Sequence, residues 1–118
     1  MGIIGVGIFD NDLALEIRGK FQRGLAEGQS VYVISDKILE ALLDRNRGAQ
    51  ADSMTVYLAL AALQVEQDVV QPKVKKQALT LIVTDEAAEA WQSAGPAIYE
   101  NRKQVLRELR MKLLAIPT

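Results

Sequence analysis

Met54-Thr-Val-Tyr-Leu-Ala-Leu-Ala-Ala-Leu-Gln-Val65 is the stretch whose reading decides the fold. Residues 56–63 are apolar without a break, so a helix here is apolar on every side. A helix of that kind belongs at the centre of a bundle, wrapped by its neighbours. It is too short to cross a bilayer, which needs roughly 20 apolar residues. Leu, Ala, Met and Gln are good helix formers, and Ala59, Ala61 and Ala62 let adjacent helices come close. The rival reading is a buried strand, but the run is longer than the usual strand of about 5–6 residues. The expectation is an all-α single domain over residues 1–118, with about five helices around this buried one.

The flanking segments fit that bundle. Three glycines among β-branched residues predict an irregular N-terminal segment, packed on the helices through Ile3, Ile4, Ile8 and Phe9. Asp10, Asn11 and Asp12 form a helix-start signal, with acidic charge suited to the positive helix end. Helix one is expected over residues 12–26, with Leu13, Ile17, Phe21 and Leu25 inward and Gly28 as its stop. Ser30 caps a second helix to about Arg47, facing inward through Val31, Ile34, Ile38, Leu42 and Leu43. Val31–Ile34 alone would pass for a short strand, but the helical period continues through Lys37–Leu43. Asp52 or Ser53 opens the central helix, and Pro72 starts a fourth, to Val83, carrying Val74, Leu79, Leu81 and Ile82. A short helix runs from Thr84 or Asp85 through Trp91. The last spans Pro96 to Ala115, with Tyr99, Leu106, Leu109, Leu113 and Ile116 along one side.

Composition narrows the chemistry. The chain has no cysteine and no histidine, which removes disulfides, Cys/His zinc sites, thiol nucleophiles and imidazole acid–base catalysis. The expectation is a non-enzyme without cofactor. A net charge of −1 argues against a general attraction to nucleic acid or an anionic membrane. No membrane span, secretory signal or myristoylation signal is read, so the cytoplasm is the expected compartment.

Three passages together carry a resemblance. Gly5-x-Gly7-x-Phe9-Asp10-Asn11-Asp12-x-Ala14 resembles the opening of a bacterial family of small proteins of unknown function, which begin Trp-Gly-x-Gly-x-Phe-x-Asp/Asn-Asp-x-Ala. Tyr57–Ala62 is similar to that family's middle helix. Gly95-Pro96, followed by Arg102-Lys103-x-Val105-Leu106-x-x-Leu109-Arg110-x-Lys112-Leu113-Leu114, is similar to its last one. Ile4 stands where the family has Trp. The resemblance spans nearly the whole chain and implies bacterial origin, a cytoplasmic helical domain and an association with toxin-neutralising immunity proteins.

Candidate sites follow, each beside a plainer reading. The glycine run before helix one has neither Walker spacing nor a Lys-Ser/Thr, so it reads as a turn and not as a phosphate loop. Asp10, Asp12 and Glu16 could hold Mg²⁺ or a small ligand, form a partner-binding acidic spot, or simply cap the helix and pair with Arg18 or the last helix. Arg102, Lys103, Arg107, Arg110 and Lys112 beside Trp91 and Tyr99 suggest an RNA face, or a solvated helix surface. Trp91 among Asp85, Glu86 and Glu89 is either a packing anchor or an interface hot spot. The leading expectation is a protein-binding module: an immunity protein presenting Asp10, Asp12, Glu16, Asp85, Glu86, Glu89 and Trp91 to a cationic toxin. A ligand- or Mg-binding protein is second and a homodimer third.

Overall fold

The structure is a computed structural model describing residues 7–45, 50–84, 88 and 91–116, with side chains given for all of these except 43–45 and 50–52. It is all-helical, with no strand among the described residues. Five α-helices follow in order: α1 (Asp12–Ala26), α2 (Val31–Arg45), α3 (Gln50–Glu66), α4 (Pro72–Val83) and α5 (Pro96–Ala115). A 3₁₀ turn at Gln92–Ala94 precedes α5.

Helix α3 is the predicted rod. It touches α1, α2, α4 and α5, and Val56, Ala59, Leu60 and Ala61 have no exposed surface. Because those neighbours cover it on all sides, the apolar run needs no polar face. It is already helical at Gln50, earlier than the predicted Asp52 or Ser53, and α2 is described as far as Arg45, so its predicted end at Arg47 lies outside the described residues. Residues 46–49 lie outside the described residues. So do Ile3 and Ile4, and all of the predicted 84–91 helix apart from Thr84, Ala88 and Trp91.

The helix ends follow local chemistry. Asn11, in extended backbone, is the N-cap of α1, and its side chain accepts from the Ala14 N–H at 2.8 Å. Ser30 caps α2, its Oγ accepting from the Val33 N–H at 3.2 Å. The predicted stop at Gly28 is a Schellman turn: Gly28 has φ of 85°, and the Gln29 N–H donates to the Gly24 carbonyl at 3.0 Å. Helix α3 ends the same way, with Asp68 at φ of 56° in the glycine-like position and the Val69 N–H donating to the Gln64 carbonyl. Lys75 Nζ donates to the Ile116 carbonyl at 3.0 Å, tying α4 to the end of α5.

The buried stripes are shifted from the predicted ones at specific places. On α1 the inward positions are Ala14, Ile17, Phe21 and Gly24, while Leu13 and Leu25 are half-buried at the margins. On α2, Ser35 and Leu39 join Ile34, Ile38 and Leu42 inside, and Val31 is only half-buried. The side chain of Leu43 lies outside the described set. Tyr32 and Val33, which favour a strand in isolation, face solvent on the first turn of α2.

A polar chain runs through this apolar core. Gln64, fully buried on α3, donates from Nε2 to Ser35 Oγ at 2.8 Å and to Gln71 Oε1 at 3.0 Å. Its Oε1 accepts from the Gln71 backbone N–H at 2.9 Å, so both amide protons and the carbonyl are used. Gln71 Nε2 passes the chain to Asp36 Oδ1 at 3.1 Å, and Lys73 closes it on the same oxygen at 2.7 Å. These hydrogen bonds link α2, α3 and the start of α4, and among the described residues no buried side-chain N or O is unpartnered.

The outer end of this chain is sensitive to acid. The Lys73 ammonium, helped by the Gln71 amide, holds the Asp36 carboxyl below its ordinary value. A carboxyl with a lowered folded-state pKa adds stability above its unfolded value, near pH 4, and loses it as pH falls through the folded value. Urea unfolding between pH 7 and pH 2 is therefore expected to show a smaller acid loss in Asp36→Asn than in the wild type. Both side chains are more than half exposed, so the difference is small and shrinks further in high salt.

Candidate functional site

The predicted N-terminal acids separate into two roles. Asp10 is structural: its Oδ2 accepts from the Gly7 N–H at 2.7 Å, and its own N–H donates to the Gly7 carbonyl. A side chain at position 7 would strike that carboxylate, since a Cβ there would lie 2.8 Å from Oδ2. The turn delivers Ile8 and Phe9 onto the core, and the Arg18 guanidinium sits 5.1 Å from the Phe9 ring centre. Asp12 and Glu16 stand one turn apart on the exposed side of α1. No set of three or more carboxylates among the described residues is placed to hold a metal, so Asp10, Asp12 and Glu16 do not converge.

Arg102 is the largest departure from the sequence reading, which placed it on a solvated basic face. It is 8% exposed, and its guanidinium lies 5.2 Å from the Trp91 ring centre. Its Nη1 also reaches toward the Gly7 carbonyl at 3.5 Å. Burial pulls the Arg102 pKa down, and the Asp10 carboxylate pulls it partly back. The side chain thus joins the N-terminal turn, α5 and Trp91. Trp91 is half-buried beneath that cation, and Lys103 covers one face of Tyr99 at 5.1 Å. The two rings that an RNA-binding reading needs are therefore each stacked on a cation of the chain itself. Asp85, Glu86 and Glu89 lie outside the described residues.

Replacing Arg102 with Ala removes the ring contact and the packed stem together, at an expected cost of about 2 kcal/mol. Trp91 is the only tryptophan, so its emission reports directly on the contact. The native spectrum of Arg102→Ala is expected to shift to the red as water reaches the ring.

The exposed side of α1, away from the core, is a ridge that carries Asp12, Leu15, Glu16, Gly19, Lys20, Gln22, Arg23 and Ala26. Leu15 is 52% exposed between the two acids. At Gly19 an added Cβ would meet nothing within 4 Å, so no packing among the described residues calls for glycine there. Glycine inside a helix costs about 1 kcal/mol relative to alanine. The N-terminal half of this ridge is therefore acidic and apolar, with the bare backbone of Gly19 beside its leucine, and Lys20 and Arg23 follow toward its C-terminal half.

No helix among the described residues is long and apolar enough to cross a membrane. Comparison with protein-family models, with curated proteins and with solved structures gives no match to this chain.

Proposed function

We propose that this chain is a non-catalytic protein-binding module, most concretely a bacterial cytoplasmic immunity protein that neutralises a cationic toxin through the exposed ridge of α1. The observation that carries the reading is Leu15 standing half exposed between Asp12 and Glu16, next to the uncovered backbone of Gly19. An apolar anchor ringed by charge is the usual composition of an interface centre and rim. Glycine on an exposed helix face admits the backbone of another protein closely. Asp12 and Glu16, one turn apart near the anchor, favour a basic partner and raise its rate of encounter. The absence of cysteine and histidine supports a role that needs no reactive side chain. The motif over residues 5–14 supports the immunity association by its resemblance.

The test uses the full chain, immobilised and exposed to extract of its own host, beside Leu15→Arg and Gly19→Leu. Both positions are solvent-facing, so the melting temperatures of the variants report that the fold is intact. The expected result is one basic protein retained at one-to-one stoichiometry by the wild type and lost by both variants. Co-expression of that protein with the wild type, but not with Leu15→Arg, is expected to restore growth. Retention of nothing stoichiometric, or equal retention by the variants, would overturn the reading.

A further inference from the structure

We infer that the cleft between the end of α4 and the middle of α5 binds an organic phosphate carrying a short aliphatic group. The cleft has a volume of about 400 Å³ and is lined by Ile82, Val83, Lys103, Leu106, Arg107 and Arg110. That size falls within the roughly 300–1,000 Å³ of small-molecule sites. Its chemistry is one-sided. Lys103, Arg107 and Arg110 are spaced i, i+4, i+7 on one face of α5, and among the described residues no carboxylate lines the cleft, in a protein whose net charge is −1.

The negative end of the α4 dipole does not account for three cations. Thr84 already donates its N–H to the Thr80 and Ile82 carbonyls, and its hydroxyl donates to Thr80 as well, which meets part of the demand at that helix end. Lys103 lies over the Tyr99 ring and makes a loose ion pair with Glu100 at 3.9 Å, and neither partner lines the cleft. Arg107 reaches Gln104, a neutral group, at 3.5 Å.

The floor and rim add the second half of the argument. Leu106 and Ile82 are buried at 2% and 8% exposure, whereas Val83 is 67% exposed beside them. Two guanidinium forks one turn apart suit the oxygens of a phosphate, which carries about −1.5 to −2 charge at neutral pH. The apolar floor and Val83 suit a short alkyl chain. A bare inorganic anion would leave that apolar surface wet, and an alcohol would leave the cations without a partner. This site is separate from the α1 ridge and does not depend on it.

The probe is hexyl phosphate, titrated into the full chain while the methyl resonances of Ile82, Val83 and Leu106 are followed. Saturable shifts confined to these methyls are expected. Inorganic phosphate and hexanol should each bind more weakly by about tenfold or more, since each lacks one half of the match. Arg107→Gln/Arg110→Gln is expected to lose at least about tenfold in affinity at unchanged melting temperature. Lys112→Gln, on α5 but outside the cleft, should bind as the wild type does. Val83→Asp is a second variant at an exposed position, independent of the arginines, and should also abolish binding. Unsaturable shifts, equal affinity for inorganic phosphate, or equal behaviour of the arginine variant and Lys112→Gln would overturn the assignment.

Discussion

Gln64→Leu is expected to destabilise the protein by about 3 kcal/mol, although it places a good core residue of similar size in the centre of an apolar helix. The leucine gains transfer free energy, but the residues around the amide cannot follow. Ser35 Oγ, Gln71 Oε1 and the Gln71 backbone N–H all lose their bond to Gln64 in a buried site. Each buried polar group left without a partner costs about 1–3 kcal/mol, more than one side chain's apolar gain returns. Urea unfolding followed by circular dichroism measures the loss. Ser35→Ala removes only one partner and leaves Gln64 bonded to Gln71, so its expected cost is about 1 kcal/mol. A neutral or stabilising Gln64→Leu would mean that water reaches this site.

Gly24→Val is expected to cost about 3 kcal/mol, while Gly19→Ala, five residues earlier in the same helix, is expected to stabilise by up to about 1 kcal/mol. The backbone torsions are helical in both places, so the opposite signs come mainly from the neighbours, with a smaller part from the poorer helix propensity of valine. A Cβ at position 24 would lie 2.7 Å from Ile34 Cγ1 and 2.9 Å from its Cδ1, which forces α1 and α2 apart or Ile34 off its rotamer. A Cβ at position 19 meets open space. The contact can be isolated by a double-mutant cycle, because Ile34→Ala removes the struck atoms. Gly24→Ala should cost clearly less in the Ile34→Ala background than in the wild type. Thermal melting of the four proteins checks both signs. On the α1 ridge the same Gly19→Ala change should weaken partner binding while raising the melting temperature, a combination that a loss of folding cannot produce.

The sequence made the apolar frame readable because α3 announces itself by an unbroken run and the helix ends by residues of special conformation. Asn11, Ser30, Gly28 and Pro72 each do locally what their chemistry dictates, and no distant contact overrules them. Misplacement occurred where residue type and helical period disagreed. Arg102 sits in the row 99, 102, 106, 109, 113 of α5, and Gly24 in the row 14, 17, 21, 24 of α1; both rows are core. Period alone marks those two positions as inward, but an arginine and a glycine do not look like core residues. Ser35, Gln64 and Gln71 were hidden differently. The Ser35–Gln64 bond spans 29 residues, and no sequence spacing signals such a partner before α2 and α3 are packed. The acidic candidates show the converse: Asp10, Asp12 and Glu16 are close in sequence, yet the Gly7–Asp10 turn commits Asp10 to its own backbone.

Native-state hydrogen exchange on α3 tests the account most directly. The claim is that the mid-fifties to mid-sixties form a rod that water reaches only when the whole protein unfolds. The amides of Leu58 to Gln64 are then expected to exchange with a free energy equal to that of global unfolding, with the same denaturant dependence. Exchange of these amides through a smaller opening, at rates like those of the first turn of α2, would contradict it.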